Sequence, residues 1–483
     1  MDQGAGQSVV ADDRLRSGTR SWIGSLGRVL SQPMLRRVMP GMLVSALGDG
    51  MSMVAVAWLA VQIAPPDQAG VWTGLAVAAY ALPATIGAAM LARLVRGFRG
   101  VRLVAVDTTL RAVALGAIAV LAVAGLLDPV VYVVLLAISS LLHAWGSAGA
   151  YTLIAESLPE EDRVTGNAIL STFTQAAFVV GPALAGGLTA LVGPGWVIGA
   201  DAASFAVLAA SCWTASPRRA TAVRPVPAAA TGGWRIILGQ PRLLGLLAVT
   251  CIFFFLYGPV EVALPVHVAQ ELHGSPGLLG LYWAVFGVGA TLGGLGADLL
   301  RHRSLWLVVV SIIVGWGAAL LPLGLTDLVA PGLISFAVGG LIYGPFTAIC
   351  TALFQRTSPP DALSRVLATR TALTIPSTAL GTLLGGPLVT AVGGRYTLLL
   401  SALLTIALGV SVAAVLGVGS RAVEPRVARC TASRVVATPP WAESTGYVAL
   451  GAAFAWAGYL LGRRTPTRHS RTVGHTSSDR PTG

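Results

Sequence analysis

The chain has 483 residues, 55% of them hydrophobic and only 11% charged, with a formal net charge of +12 and no lysine. A soluble protein of this length carries roughly a quarter charged residues, so the composition excludes an ordinary soluble fold. The arginines are spread over many short links instead of gathered on one element, which points to anionic lipid and away from nucleic acid, at ~1 kcal/mol per basic residue near the surface.

A polar segment, 1–38, precedes the first apolar run. Spans are predicted at 39–62, 71–94, 103–126, 130–155, 166–192 and 196–214, then at 243–266, 276–300, 304–326, 330–354, 366–392 and 396–418. Each meets or approaches the ~20 apolar residues needed to cross a bilayer core. The first six make one half, 39–214, and the last six another, 243–418. Between them lies the link 215–242, polar and proline-bearing through Pro217, Pro225 and Pro227, which reads as a tether. The tail, 419–483, contains an apolar run at 446–462 with the spacing Gly458-x-x-x-Gly462. That run is either a short thirteenth span or an interfacial helix. A cleavable signal peptide is not expected, because the first span is too long and begins too late.

Arginine fixes the orientation. Every second link is rich in it: the N-terminal segment and links 2–3, 4–5, 6–7, 8–9 and 10–11 together hold 21 arginines, while the opposite links hold one, Arg395. Positive charge resists translocation, so the rich side is expected to be cytoplasmic, with the N-terminus inside and the protein in the cell membrane.

The four cysteines, Cys212, Cys251, Cys350 and Cys430, show neither a disulfide framework nor a zinc spacing and read as small apolar fillers. No metal or cofactor is expected.

The chain repeats itself. Gly181-Pro182-Ala183-Leu184-Ala185-Gly186-Gly187-Leu188 recurs as Gly381-Thr382-Leu383-Leu384-Gly385-Gly386-Pro387-Leu388, and Pro159 recurs as Pro359, at an offset of 200. Gly74-Leu75 and Ala84-Thr85-x-Gly87 recur as Gly280-Leu281 and Ala290-Thr291-x-Gly293 at an offset of 206. Partners are six spans apart, an even number, so the halves are parallel repeats about an axis along the membrane normal. The glycine-rich stretches follow no strand and carry no P-loop lysine, so they are read as small residues for close helix approach.

On these residues the chain resembles the major facilitator superfamily, and within it the enterobactin-exporter and macrolide-efflux branch. Ser45-x-x-Gly48-Asp49, Glu156-x-Leu158-Pro159-Glu160-Glu161, Gly166-Asn167-Ala168, Gly181-Pro182-x-x-Ala185-Gly186, Asp201-x-x-Ser204-Phe205 and Ser364-Arg365-Val366 carry the resemblance over roughly 35 to 420. It implies an all-α membrane fold of twelve transmembrane helices in two six-helix repeats, working by alternating access. Two departures stand out. The superfamily's Gly-x-Leu-Ala-Asp-Arg loop has Ala92 in the first half where the second has Asp298, the acid that normally braces the gate. Gly181-Pro182 is also spaced by three residues, not two, from the glycine pair of the antiporter signature.

Ionisable groups inside spans cost ~2.5–3.5 kcal/mol each on insertion scales, so each asks for a reason. Asp49, central in span 1 between two glycines, is a candidate proton carrier or a structural carboxylate, and the resembled branch commonly has an acid there. Glu261 follows Gly258-Pro259, which can break the helix and free carbonyls at a cavity wall; it is a candidate for coupling or for meeting a cationic cargo, and otherwise an ion-paired or water-facing glutamate. His143, where many superfamily members have arginine, is a third coupling candidate, against a bland reading as hydrogen-bonded packing. Asp107 and Arg111, spaced i, i+4 on span 3 and placed near the cytoplasmic face, are expected to pair with each other as a structural salt bridge. Asp201 matches a branch position of structural type. Trp58, Phe254, Tyr257, Trp283, Tyr343 and Phe346 lie on spans that line the cavity or gates in the superfamily, and as a set they fit an amphipathic cargo.

The expectation is a monomeric, proton-coupled exporter of a small amphipathic compound, such as an antibiotic or secondary metabolite, with the lipid bilayer as its setting and no nucleic-acid partner. The alternatives are an importer of the same fold or, from another class, a membrane-embedded enzyme or a scaffold. Against an enzyme stands the lack of clustered catalytic groups at a common depth, and against ATP coupling the lack of a Walker loop.

Overall fold

The computed structural model describes residues 27–91, 94–95, 97–215, 233–300, 303–359 and 362–430. The first 26 residues, Ala92, most of the tether and the run 446–462 lie outside the described residues. Within them the protein is helical, with twelve helices long and apolar enough to cross a membrane: Pro33–Ile63, Pro66–Ala88, Gly100–Val123, Pro129–Ser157, Glu160–Val192, Pro194–Ala215, Pro241–Glu271, Pro276–Leu300, Leu305–Leu325, Val329–Thr357, Leu363–Val392 and Gly394–Leu416. One compact unit ends at Val418; a second begins at Gly419, and only its helical residues 419–430 are described.

Prolines and caps set the boundaries. Pro33, Pro129, Pro241 and Pro276 open their helices, where the missing N–H is no loss. Asp128 accepts from the amides of Val130 and Val131, and Ser275 from that of Leu278. Span 5 begins with Glu160, Glu161 and Asp162 in its first turn, where the helix dipole favours negative charge. Spans 5 and 11 both end on a glycine with positive φ, Gly193 at 87° and Gly393 at 88°, so the repeat holds down to the cap conformation.

Spans 4 and 10 are each broken at mid-length. Span 10 breaks at Gly344-Pro345, between Val329–Tyr343 and Phe346–Thr357, because proline removes a donor and clashes with the preceding turn. Span 4 turns at Leu141 and Leu142, between Pro129–Ser140 and His143–Ser157. There the hydroxyls of Ser139 and Ser140 bond back to the carbonyls of Leu136 and Ala137, an interaction that bends helices. The repeated Gly87 and Gly293 meet these breaks: a Cβ at Gly87 would collide with the Leu141 carbonyl oxygen, and one at Gly293 with that of Leu341.

The two halves meet through spans 2 and 11 and through spans 5 and 8. Gly74 lies against Gly386 and Gly186 against Gly280, each so close that an added Cβ would sit 2.9 Å from the facing Cα. These four glycines belong to the repeated motifs, and all lie toward the arginine-poor face. Two hydrogen bonds join the halves there, from the Val71 amide to Thr390 Oγ1 at 3.2 Å and from Gln270 Nε2 to the Pro66 carbonyl at 3.3 Å.

Gly258-Pro259 does not break span 7, contrary to expectation: Pro241–Val266 runs through it as one helix. A glycine on a neighbouring helix makes room for the exposed carbonyl instead. Proline leaves the Phe255 carbonyl without its amide donor, and that carbonyl faces Gly381 of span 11, whose lack of a side chain admits it.

Candidate functional site

Span 1 needs small residues to approach spans 5 and 6. Gly50 sits against the Ala177 carbonyl, and a Cβ on Gly48 would run into Asp201 Oδ1 and lie 2.8 Å from Ser204 Oγ. Two of the motifs that carry the family resemblance, one on span 1 and one on span 6, therefore touch each other. Asp201 is fully buried and is held by the Ser52 hydroxyl and by Ser204 Oγ at 3.3 Å. Its role is to fix span 1 on span 6, as a carboxylate with donors of its own.

The close approach turns Asp49 toward span 3. Arg111 Nη1 donates to Asp49 Oδ2 at 2.9 Å, and Nη2 donates to the Tyr80 hydroxyl at 2.8 Å, which donates in turn to Asp49 Oδ1 at 2.7 Å. The guanidinium also lies over the ring of Phe205, 4.4 Å from its centroid, a cation–π contact. The expected i, i+4 pair between Asp107 and Arg111 is thus replaced by a pair between spans, and Arg111 stands in the middle of Gly100–Val123, not near its end. A flexible arginine on a helix face can reach the adjacent turn or a neighbouring helix. Here the neighbour offers a carboxylate and a hydroxyl together.

Exposure within the network is unequal. The Arg111 side chain is 3% exposed whereas that of Asp49 keeps 33%. That exposure faces a cleft of about 170 Å3, lined by residues of spans 1, 3, 4, 5 and 6, all in the first half. His143, the first residue after the break in span 4, lines it with an exposed side chain. The cleft occupies the half of the bundle toward the arginine-rich face, opposite the glycine contacts that join the halves.

The second half is built differently. Glu261 accepts from Thr382 Oγ1 at 3.2 Å and does not line the cleft. Around it is an aromatic assembly: Tyr257 stacks on Tyr343 at 5.7 Å between centroids, Tyr343 on Phe346 at 6.2 Å, and Phe254 meets Phe346 edge-on at 5.9 Å. Trp283 contacts Phe286 and Phe336 in the same region. Five of the predicted cavity residues, Phe254, Tyr257, Trp283, Tyr343 and Phe346, thus come together as packing of the second half, with Phe346 fully buried. Trp58 is separate from them, buried in the first half with its indole nitrogen unpartnered. Gly181 lies directly against Gly50 of span 1, whereas the Pro182 carbonyl faces Gly280 of span 8. Asp298 lies exposed in the short turn Gly296–Leu300 that ends span 8.

Tyr80 is the residue sequence reasoning missed. Its hydroxyl lies between the two charged partners, but a single tyrosine in an apolar run gives no local signal. The only hint is depth, since Asp49, Tyr80 and Arg111 all fall near the middle of their helices.

Comparison with known proteins agrees with this architecture. Residues 38–367 match the model of the Major Facilitator Superfamily. The multidrug efflux pump Tap of Mycobacterium tuberculosis and Mycobacterium bovis is 30% identical over 378 residues, which cover 72% of this chain and 85% of the pump. The MFS-type transporter y4rN of Sinorhizobium fredii is 27% identical over 280 residues, 54% of this chain and 66% of that protein. Among solved structures, the nucleoside transporter NupG aligns with a TM-score of 0.63 at 13% identity, covering 79% of this chain and 98% of its own. A bacterial homologue of the human lysosomal transporter Spinster, inward-facing and unoccupied, aligns at 0.59 with 12% identity, covering 80% and 96%. At such identities these structures share the fold.

Proposed function

The chain belongs to the major facilitator superfamily, as a multi-pass membrane transporter and not an enzyme, and on that premise we propose that it exports a small amphipathic compound in exchange for protons. The observation that carries the reading is the pairing of Asp49, open to a cleft, with Arg111, buried behind it. A proton arriving from the cleft competes with the guanidinium for the same carboxylate. Protonated, Asp49 loses its attraction for Arg111; ionised, it recovers it. The two states order spans 1, 2 and 3 differently, which is what a coupling site requires. His143 at the cleft surface and Glu261 in the second half are further groups for proton movement.

With the arginine-rich face cytoplasmic, the glycine contacts close the external side and the cleft opens inward, the state in which an exporter takes up its cargo. The likeness to a multidrug efflux pump over most of both chains supports the export direction. The apolar walls of the cleft fit an amphipathic cargo. The protein works as a monomer in the cell membrane, without a cofactor or nucleic acid.

Purified protein in vesicles with an acidic interior should accumulate a fluorescent amphipathic probe beyond protein-free vesicles. Asp49→Asn should abolish that gradient-driven flux while retaining probe binding. Accumulation driven only by an alkaline interior would instead identify a proton symporter and overturn the exchange mechanism.

A further inference from the structure

The cleft contains a second carboxylate in a different situation from Asp49. Asp107 is 5% exposed, and its Oδ1 has no hydrogen-bond partner. It lies one turn before Arg111, yet the guanidinium is engaged by Asp49 and Tyr80. Space for the Asp107 carboxylate is made by Gly146, where an added Cβ would lie 2.7 Å from Asp107 Cβ. The break in span 4 and the neighbouring Gly149, which lies against the Gly100 carbonyl, set that approach. A buried carboxylate without a donor is unfavourable, so a partner from outside the chain would relieve it.

Acidic groups outnumber the permanent cation in this region: Asp49, Asp107 and Asp201 lie near the one guanidinium of Arg111 across spans 1, 3 and 6, with His143 also lining the cleft. Phe205 has its face taken by Arg111, but Phe173 and Tyr151 also line the cleft, and Tyr151 is 50% exposed. Open aromatic faces beside an acid attract organic cations. The volume of about 170 Å3 is below the ~300–1,000 Å3 of a whole drug site. It fits the charged end of a cargo whose remainder lies outside the cleft. Glu261 lacks these features, since Thr382 already donates to it.

We propose that Asp107 receives the positive charge of an amphipathic organic cation seated in the first-half cleft, so that Asp107 sets charge preference while Asp49 performs coupling. The proposal rests on the transport reading only for the use made of the bound cation.

The test compares two isosteric probes that carry the difference at one end, 4-phenylbutyl-trimethylammonium and its neutral analogue with a tert-butyl group in place of the trimethylammonium, binding to the full-length protein in nanodiscs. The wild type should prefer the cation by about tenfold or more, Asp107→Asn should erase that preference by weakening the cation alone, and Asp107→Glu should keep most of it. A preference that survives in Asp107→Asn, equal weakening of both probes, or a wild type without preference would each overturn the proposal. A measurement on unmodified protein covers the case of a variant that does not fold. The trimethylammonium probe, and not its neutral analogue, should protect Asp107 from carbodiimide labelling mapped by mass spectrometry; labelling unaffected by saturating cation would also overturn it. Failure of gradient-driven flux with Asp107-dependent cation binding intact would remove the export reading and leave this site standing.

Discussion

Arg111 on span 3 donates to Asp49 on span 1 at 2.9 Å, passing over Asp107, the acid one turn away on its own helix. Removing one member of a buried pair leaves the other charge uncompensated, at a cost of about 3–5 kcal/mol, whereas removing both can be nearly neutral. The partial exposure of Asp49 places this site at the lower end. Arg111→Gln should therefore lower the melting temperature in detergent strongly, and Arg111→Gln with Asp49→Asn should recover most of the loss. A double variant no more stable than Arg111→Gln would show that the guanidinium acts through Tyr80 and Phe205 instead of through Asp49.

Tyr80 gives a finer probe of the same network. Tyr80→Phe removes one donor to Asp49 and one acceptor for Arg111 while keeping the ring beside the guanidinium. Each hydrogen bond lost is worth about 0.5–1.5 kcal/mol, more where a charge is involved. Folding should survive, and the pH dependence of transport should move, because the balance between proton and guanidinium at Asp49 changes. A flux–pH profile superimposable on that of the wild type would exclude Tyr80 from coupling.

The spans were legible in the sequence because hydropathy sets their middles and prolines and glycines their ends. The starts of spans 1 and 5 are among the longest disagreements, because polar first turns such as Glu160, Glu161 and Asp162 are helical but not apolar. The repeat was legible too, since Gly74, Gly186, Gly280 and Gly386 stand at corresponding places and pack on one another. The partner of Arg111 was not. Helical spacing names Asp107 as a neighbour, but competition with Asp49 and Tyr80 is decided by how spans 1, 2 and 3 are set together. Gly258-Pro259 failed as a helix breaker for a similar reason, because Gly381 on another span accommodates the carbonyl that proline strands.

Arg395, the one arginine of the poor links, has its own structural task. It donates from Nη1 to Asp327 at 2.8 Å, from Nε to the Gly324 carbonyl at 2.9 Å and from Nη2 to the Leu325 carbonyl at 2.9 Å, while its amide donates to Glu271. It satisfies the open carbonyls at the end of span 9, where a cation is also favoured by the helix dipole. Arg395→Ala should lower the melting temperature by more than Asp327→Ala, which removes only one of these contacts and a largely exposed group. Equal effects would mean that the carbonyl contacts contribute little.

The contacts of Gly74 with Gly386 and of Gly186 with Gly280 are the two symmetry-related points where the halves close at the arginine-poor face. A valine at Gly74 or Gly186 places side-chain carbon where the facing backbone now lies, so the closed arrangement must spread or give way. Alternating access sets this closed state against one open at the same face, and a shift of ~1.4 kcal/mol changes their ratio tenfold. Because each glycine acts at a different pair of spans, Gly74→Val and Gly186→Val should have similar effects, and the double variant a larger one. Thr390, which bonds to the Val71 amide in the closed state, offers a reporter. In a Thr390→Cys background, labelling by a membrane-impermeant thiol reagent from the arginine-poor side should rise severalfold with either valine. Unchanged labelling in folded protein would mean that these glycines serve helix packing without controlling the closure of this face.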